Sequence, residues 1–446
     1  MPNADSTLNK RMGIVALTWP IFIEVLLRTA LNTSDVFMLS GYSDKAVSAV
    51  GVISQISFFL IIVSTMVSSG TGILIAQYNG ASRDQESAQV GVASIILAIV
   101  MGVLLSIFAV LGAEYFIPLY QLEAQVEQYA QEYLFISGAL TFNVTIGVVL
   151  TTILRSHGYS KSPMVINMIA GVINVFGNYC ALYQPFGLPV YGVQGVAIAT
   201  VISQVIGMFI LIGVVRSKGI DLPLKQFKSV PKAIYQKIIK IGSMNAGEVL
   251  SYNMAQITIM FFVVQMGTAS LAAFTYAQNI ARLSFAFALA IGQGSQIQTG
   301  YYIGKGWIDE IANRVQRYFV VGFIASTTIT CVIYLFRFEI LDVFTQDPEI
   351  LALTASLIAG SIILEAGRVF NLIFISCLKA AGDIKFPVKM GIVSMWGIGV
   401  AMSYLLGVHW GYGVFGAWMA IAMDEWFRGI IMAYRWRTKK WTRFSL

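Results

Sequence analysis

Residues 154–163 read LRSHGYSKSP and residues 378–387 read LKAAGDIKFP. The two share the pattern L-[RK]-x-x-G-x-x-K-x-P at a shift of 224 residues. Working outward, the same shift lays Glu24-Val25-Leu26 on Glu248-Val249-Leu250, Ala49 on Ala273 and Ile56 on Ile280. It also lays Gly70, Tyr78 and Gly80 on Gly294, Tyr302 and Gly304. A slip to 221 then brings Tyr191-Gly192-Val193-x-Gly195 onto Tyr412-Gly413-Val414-x-Gly416. Apolar sequence of low complexity yields Ala, Val and Ile matches by chance, but not this polar pattern twice. The chain reads as two tandem copies of one unit.

The medium around those copies follows from composition. Of 446 residues, 57% are hydrophobic and 11% charged, with a mean hydropathy of +0.74. A soluble domain carries about 25% charged residues, so lipid has to cover what charge does not. Apolar stretches of about 20 residues or more, enough to cross a hydrocarbon core, recur from end to end. They predict helices at roughly 12–41, 46–77, 87–116, 124–155, 162–183, 191–215, 234–266, 268–303, 308–336, 348–378, 386–407 and 411–435. The first run extends past Met38 without a small-residue cleavage site and is read as a retained helix.

With the N-terminus inside, alternation places only Lys45 and Arg337 of the 29 basic residues in outside loops. Arg28, Arg282, Arg368 and Arg428 fall within spans, and the rest, from Lys10 and Arg11 through Arg155 and Lys379 to Arg443, lie inside. One span too many or too few would reverse every later loop and spoil that asymmetry. The net charge of +7 therefore reads as topology and contact with anionic lipid, and no nucleic-acid partner is expected. Both termini are expected on the cytoplasmic side of the cell membrane.

An even number of helices per copy sends both halves into the membrane the same way. The predicted fold is an all-α integral membrane protein of twelve transmembrane helices. They form two parallel six-helix lobes related by a pseudo-two-fold axis along the membrane normal, with a cavity between them. The expected lobes are 1–222 and 223–446, with the basic stretch 216–240, carrying Pro223 and Pro231, as the cytoplasmic linker. Two lobes around a cavity suit alternating access by a single chain. A channel is more often built from identical subunits.

Ionisable groups inside a bilayer are costly and point to function. Glu24, Arg28 and Asp35 share one face of the first helix, at offsets of 0, 4 and 11. Glu24 and Arg28 are spaced to neutralise each other, whereas Asp35 has no basic residue one turn away. An unpaired buried carboxyl is suited to take up and release a proton. The plainer reading pairs Asp35 with Arg28 or Arg282 on another turn or helix, or uses it to cap a break at Asn32-Thr33-Ser34. Asn167, Asn174 and Asn178 form one stripe on the fifth helix, able to glue helices together or, facing Asp35, to complete a proton or cation site. In the second half Glu248 repeats Glu24, while Ile259 replaces Asp35, Tyr252 replaces Arg28 and Met244 replaces Pro20. The kink-forming proline and the candidate coupling carboxyl therefore occur only in the first half. Arg282, Glu365 with Arg368, and Asp424 and Glu425 with Arg428 read as compensated pairs.

Three cysteines (Cys180, Cys331, Cys377) give neither a disulfide framework nor a metal-ligand spacing. No HExxH, GxSxG or GxxxxGK[ST] occurs, so neither enzyme chemistry nor a cofactor is expected. Transport without a nucleotide site has to run on an ion gradient, H+ or Na+.

These residues resemble the multidrug and toxic compound extrusion (MATE) family over nearly the whole chain. The likeness rests on WPIF at 19–22, SDVFMLSG at 34–41 followed by AVSAVG at 46–51, QYNG at 77–80, the two decisive turns and Y-G-V-x-G twice. The first helix is most similar to the DinF-like branch. The resemblance implies export of organic cations and amphipathic drugs driven by H+ or Na+. It maps Asp35 onto the family's first-helix aspartate, Pro20 onto a bending proline, and Asn174 and Asn178 onto polar fifth-helix positions. Many members carry Asp where Asn178 stands. Glu248 matches a seventh-helix glutamate linked to cation binding in another branch, whose tenth-helix acid is replaced here by Arg368. The expected mechanism is an antiporter in which protonation of Asp35 bends the first helix near Pro20. The alternatives are a flippase for a lipid-linked precursor, with Arg28, Arg282 and Arg368 meeting phosphate, and an ion channel.

Overall fold

The computed structural model describes residues 11–183, 185–187 and 189–444; Lys10, counted among the inside charges, lies outside them. Both copies of the decisive motif close one helix and open the next with the same hydrogen bonds. Tyr159 N donates to Leu154 O (2.9 Å) and Asp383 N to Leu378 O (3.1 Å). Between them Gly158 and Gly382 take φ of 82° and 86°, the left-handed conformation that ends helices and that glycine adopts without a Cβ penalty. Pro163 and Pro387 then fall in the first turn of the next helix, where a missing N–H costs nothing.

Among the described residues twelve long helices follow one another. They are α1 (Ile14–Ser40), α2 (Asp44–Gly80), α3 (Asp84–Tyr115), α4 (Ala124–Ala139 and Thr141–Ser156), α5 (Lys161–Leu182) and α6 (Gly192–Ser217). The second half holds α7 (Lys232–Gln265), α8 (Thr268–Gly304), α9 (Ile308–Leu335), α10 (Pro348–Ala380), α11 (Lys385–His409) and α12 (Gly413–Arg437). Helices dominate because each satisfies its own backbone groups where no water can. Nine are long and apolar enough to cross a bilayer, α4, bent by 48°, makes a tenth, and α8 and α12 are more polar. The helix α1 runs unbroken through Pro20. Asp347 caps α10, accepting from Glu349 N (2.9 Å) and Ile350 N (3.3 Å), with Pro348 opening the first turn. Wide π-turns interrupt α11 at Met395–Val400 and Ser403–His409.

The chain packs as two units. One comprises Ile23–Tyr78 and Arg83–Ala246 with Arg11; the other comprises Met12–Phe22, Asn79–Ser82 and Gly247–Leu446. Thus α1 begins in unit 2 and passes into unit 1 after Phe22, and α7 begins in unit 1 and passes into unit 2 after Ala246. The two crossing points coincide under the 224-residue shift.

Ile75, Val90, Val149, Ile153 and Ile238 lie at the centre of the larger core of unit 1. In unit 2 the centre is α10, whose most apolar stretch is 56% buried against 22% for α9. The difference separates a core helix from a lipid-facing one. Trp436 stacks on Trp441 at 4.3 Å within that core.

Candidate functional site

In unit 1, four helices bring polar groups together around Asp35. From α5, Asn178 Nδ2 donates to Asp35 Oδ1 (2.7 Å) and leans toward Asn174 Oδ1 (3.5 Å). Asn174 Nδ2 in turn donates to Thr200 Oγ1 on α6 (3.1 Å). Tyr133 on α4 lies against Thr200 and within electrostatic reach of Asp35. Asn178 is fully buried and Asn174 nearly so, while Asp35 is half-buried. Among the described residues no basic side chain pairs with Asp35: neither Arg28 nor Arg282 is its partner, and α1 has no break at Asn32-Thr33-Ser34 for it to cap. A carboxylate held by one amide and no cation can accept a proton without breaking an ion pair. Asn178 Oδ1 has no hydrogen-bond partner, so one acceptor stands open beside it.

The asparagine stripe serves two sites rather than one. Seven residues of helix rise about 10 Å, which carries Asn167 away from Asp35 to Glu24. Glu24, 2% exposed, accepts from Arg155 Nη2 (2.5 Å) at Oε2 and from Asn167 Nδ2 (2.8 Å) at Oε1. The expected Glu24–Arg28 pair is the looser one, at 3.6 Å with the Arg28 side chain 64% exposed. Arg155 is therefore more than an inside topological charge. Its guanidinium turns back from the end of α4 because Glu24, taken out of water, needs a nearby cation.

Unit 2 repeats this pair. Glu248 accepts from Lys379, whose position matches Arg155 as Glu248 matches Glu24. The amide has no counterpart there: the position of Asn167 is Gly391, where a Cβ would stand 3.2 Å from Glu248 Oε1. Arg282, on α8, is exposed and belongs to none of these clusters.

The other charged residues of unit 2 are not separate compensated pairs. Glu365 Oε1 accepts from Arg368 Nη1 (2.5 Å). Arg428 Nη2 reaches Asp424 Oδ2 (2.6 Å) and Glu425 Oε1 (3.0 Å). Arg368 Nε stands 3.8 Å from Glu425 Oε1, so α10 and α12 share one buried network. An i, i+3 or i, i+4 spacing shows neighbours on one helix and misses the second helix that shares the same charge.

Sequence reasoning missed Tyr133, Thr200, Arg155 and Lys379 as site residues. The last two carry a signal: acid and base recur together at the repeat shift, as a contacting pair in a duplicated unit must. Tyr133 and Thr200 carry none, since one tyrosine and one threonine in polar helix faces are unremarkable.

Comparison with known proteins agrees with this layout. Residues 20–180 and 246–405 each match the MatE family, once per half. The chain is 38% identical to the transporter YisQ of Bacillus subtilis, over 97% of this chain and 95% of that protein. It is 23% identical to the multidrug resistance protein NorM of Burkholderia vietnamiensis, over 95% and 93%. A solved structure described as MATE in the bent conformation superposes with a TM-score of 0.89 at 21% identity, covering 97% of each chain. Its fold is the twelve-helix fold seen here. Two copies of the family pattern in one chain, and likeness along almost all of a bacterial transporter, establish the conclusion: this multi-pass membrane protein belongs to the MatE (MATE) family of transporters.

Proposed function

We propose that the protein is a proton-coupled antiporter of the cytoplasmic membrane. It exports organic cations and amphipathic drugs as a monomer by alternating access, with both termini in the cytoplasm. The observation that supports this reading is Asp35, half-buried, held by Asn178 and paired with no cation. Protonation from outside removes the charge that Asn178 Nδ2 donates to and weakens that hydrogen bond. The amide is then free to turn, and the chain of contacts through Asn174 to Thr200 changes with it. A bend of α1 near Pro20 is the step that turns this local change into release of cargo. Coupling requires that cargo bind the two protonation states with different affinity.

The groove along α1 and α5 in the same unit, lined by Leu27, Leu31, Met168, Val172, Phe176 and Tyr179, is apolar and flexible enough for varied ligands. Relatives named as multidrug resistance proteins fit such cargo. Sodium shares the oxygen acceptors a proton uses. The deciding experiment is efflux of a fluorescent organic cation from proteoliposomes, with proton and sodium gradients imposed separately. A proton gradient alone drives efflux under this proposal; efflux driven only by sodium would reassign the ion.

One observation favours a second reading. Arg28 is 64% exposed and only loosely tied to Glu24, which suits the phosphate of a lipid-linked precursor. Transbilayer movement of a labelled polyprenyl phosphate by the same vesicles, with no efflux of the cation, would establish the flippase instead.

A further inference from the structure

The buried network of unit 2 does not balance in charge. It contains three carboxyl groups (Glu365, Asp424 and Glu425) and two guanidiniums (Arg368 and Arg428), all on α10 and α12. Among the described residues the facing elements do not supply the missing positive charge. From α7 come Tyr252, a neutral phenol, and Glu248, already neutralised by Lys379. From α8 comes Phe285, whose ring lies 4.7 Å from the Arg368 guanidinium. From α11 comes Ser394, which donates to Asp424 Oδ1. One negative charge is left over in a place where an uncompensated charge is costly.

The hydrogen bonds identify which group carries the remedy. Asp424 has both oxygens engaged, by Ser394 and by Arg428. Glu425 also has both engaged, Oε2 by Asn371 Nδ2 (2.9 Å) and Oε1 by Arg428. Glu365 is 0% exposed and uses only Oε1; its Oε2 has no partner. A small cavity lined by Tyr252, Gln256, Ile259, Gly399, Ile421 and Asp424 adjoins the network. It has room for about one water molecule, and Gly399 lies in the first π-turn of α11, a geometry frequent at functional sites.

We propose that unit 2 holds a proton of its own, bound on Glu365 Oε2. The proton makes the network neutral, three carboxyls then carrying two charges against two guanidiniums. It is a second proton-binding site, in the half where Ile259 replaces the coupling aspartate. It stands independently of Asp35 and of the identity of the cargo.

The test is infrared spectroscopy of the full-length protein in lipid nanodiscs, at neutral pH in sodium-free buffer. An Asp35→Asn background removes that carboxyl from the spectrum. One band from the C=O stretch of a protonated carboxyl, shifted by deuterium exchange, is expected. Glu365→Gln, which keeps an acceptor for Arg368, removes the band. Glu425→Gln removes it as well, because two carboxylates then face two guanidiniums and Glu365 no longer needs its proton. This second variant keeps the test decisive if the first does not fold. Absence of the band in the parent, its survival in either variant, or its loss on adding sodium would overturn the proposal.

Discussion

Glu24 and Glu248 began as the same residue of a duplicated unit and now sit in different surroundings. Glu24 has a tight guanidinium, an amide and a looser second guanidinium; Glu248 has one ammonium and a glycine where the amide would be. Eleven residues further along each helix the divergence is complete, with Asp35 in one copy and Ile259 in the other. The lesson is that a shared scaffold fixes where an acid and a base meet, while residues three turns on and on the facing helix decide whether a carboxyl is available for chemistry. The first half keeps a carboxyl free of cations near Asn178. The second half gathers Glu365, Asp424 and Glu425 into one network with Arg368 and Arg428.

Four experiments can break or sharpen this contrast. The largest effect is expected from Asp35→Asn, which should reduce gradient-driven efflux in proteoliposomes to the background of empty vesicles, with the thermal unfolding midpoint near that of the wild type. Efflux at the wild-type rate would remove Asp35 from the coupling path and leave the two halves functionally alike.

Next come the twin ion pairs. Breaking a buried pair costs roughly 3–5 kcal/mol, and the cost falls when the stranded charge keeps other partners. Lys379→Met should therefore destabilise more than Arg155→Met in thermal unfolding, since Glu24 retains Asn167 and Arg28 while Glu248 retains no comparable partner. The reverse order would mean that the amide contributes nothing. A smaller loss is expected from Thr200→Val and Tyr133→Phe, which leave Asp35 in place but take polar atoms from its surroundings. Each should slow efflux by about 3-fold, a barrier change of under 1 kcal/mol, with cargo binding measured by fluorescence changed little. Smallest is Gly391→Ala, whose Cβ crowds Glu248 Oε1 at 3.2 Å. Crowding of about 1 kcal/mol is offset by alanine's helix preference of about 1 kcal/mol, so a net change close to zero is expected, whereas Asn167→Ala in the other copy should cost a lost hydrogen bond of about 1 kcal/mol.

Much of the fold was legible because it depends on quantities a sequence displays. Apolar run length gave all twelve helices, and the L-[RK]-x-x-G-x-x-K-x-P repeat marked where α4 yields to α5 and α10 to α11. The chemistry of that motif emerged only with the structure: Gly158 and Gly382 supply the left-handed turn, and the basic position answers the glutamate of α1 or α7, where spacing points Glu24 to Arg28. The wiring between helices was far less visible. Asn167, Asn174 and Asn178 share a face, but nothing in their spacing says that two go to Asp35 and Thr200 and one to Glu24. Spacing likewise suggested local pairs for Glu365 with Arg368 and Asp424 with Arg428, whereas the contact between α10 and α12 merges them. Periodicity reports neighbours along one helix; which helices pack side by side is a tertiary fact. The π-turns of α11 were equally hidden, since an extra residue per turn leaves no compositional mark.

The crossing of α1 and α7 between units bears on how the protein is made. Met12–Phe22 are translated before the rest of α1, yet they belong to the unit whose other helices lie later in the chain. The first unit cannot finish packing when its sixth helix emerges, because it still awaits the segment ending at Ala246. A gene cut in the basic stretch between α6 and α7 would thus yield two fragments, each holding a piece of the other. Until synthesis has passed into α7, the leading end of α1 lacks the partners it has in the finished chain.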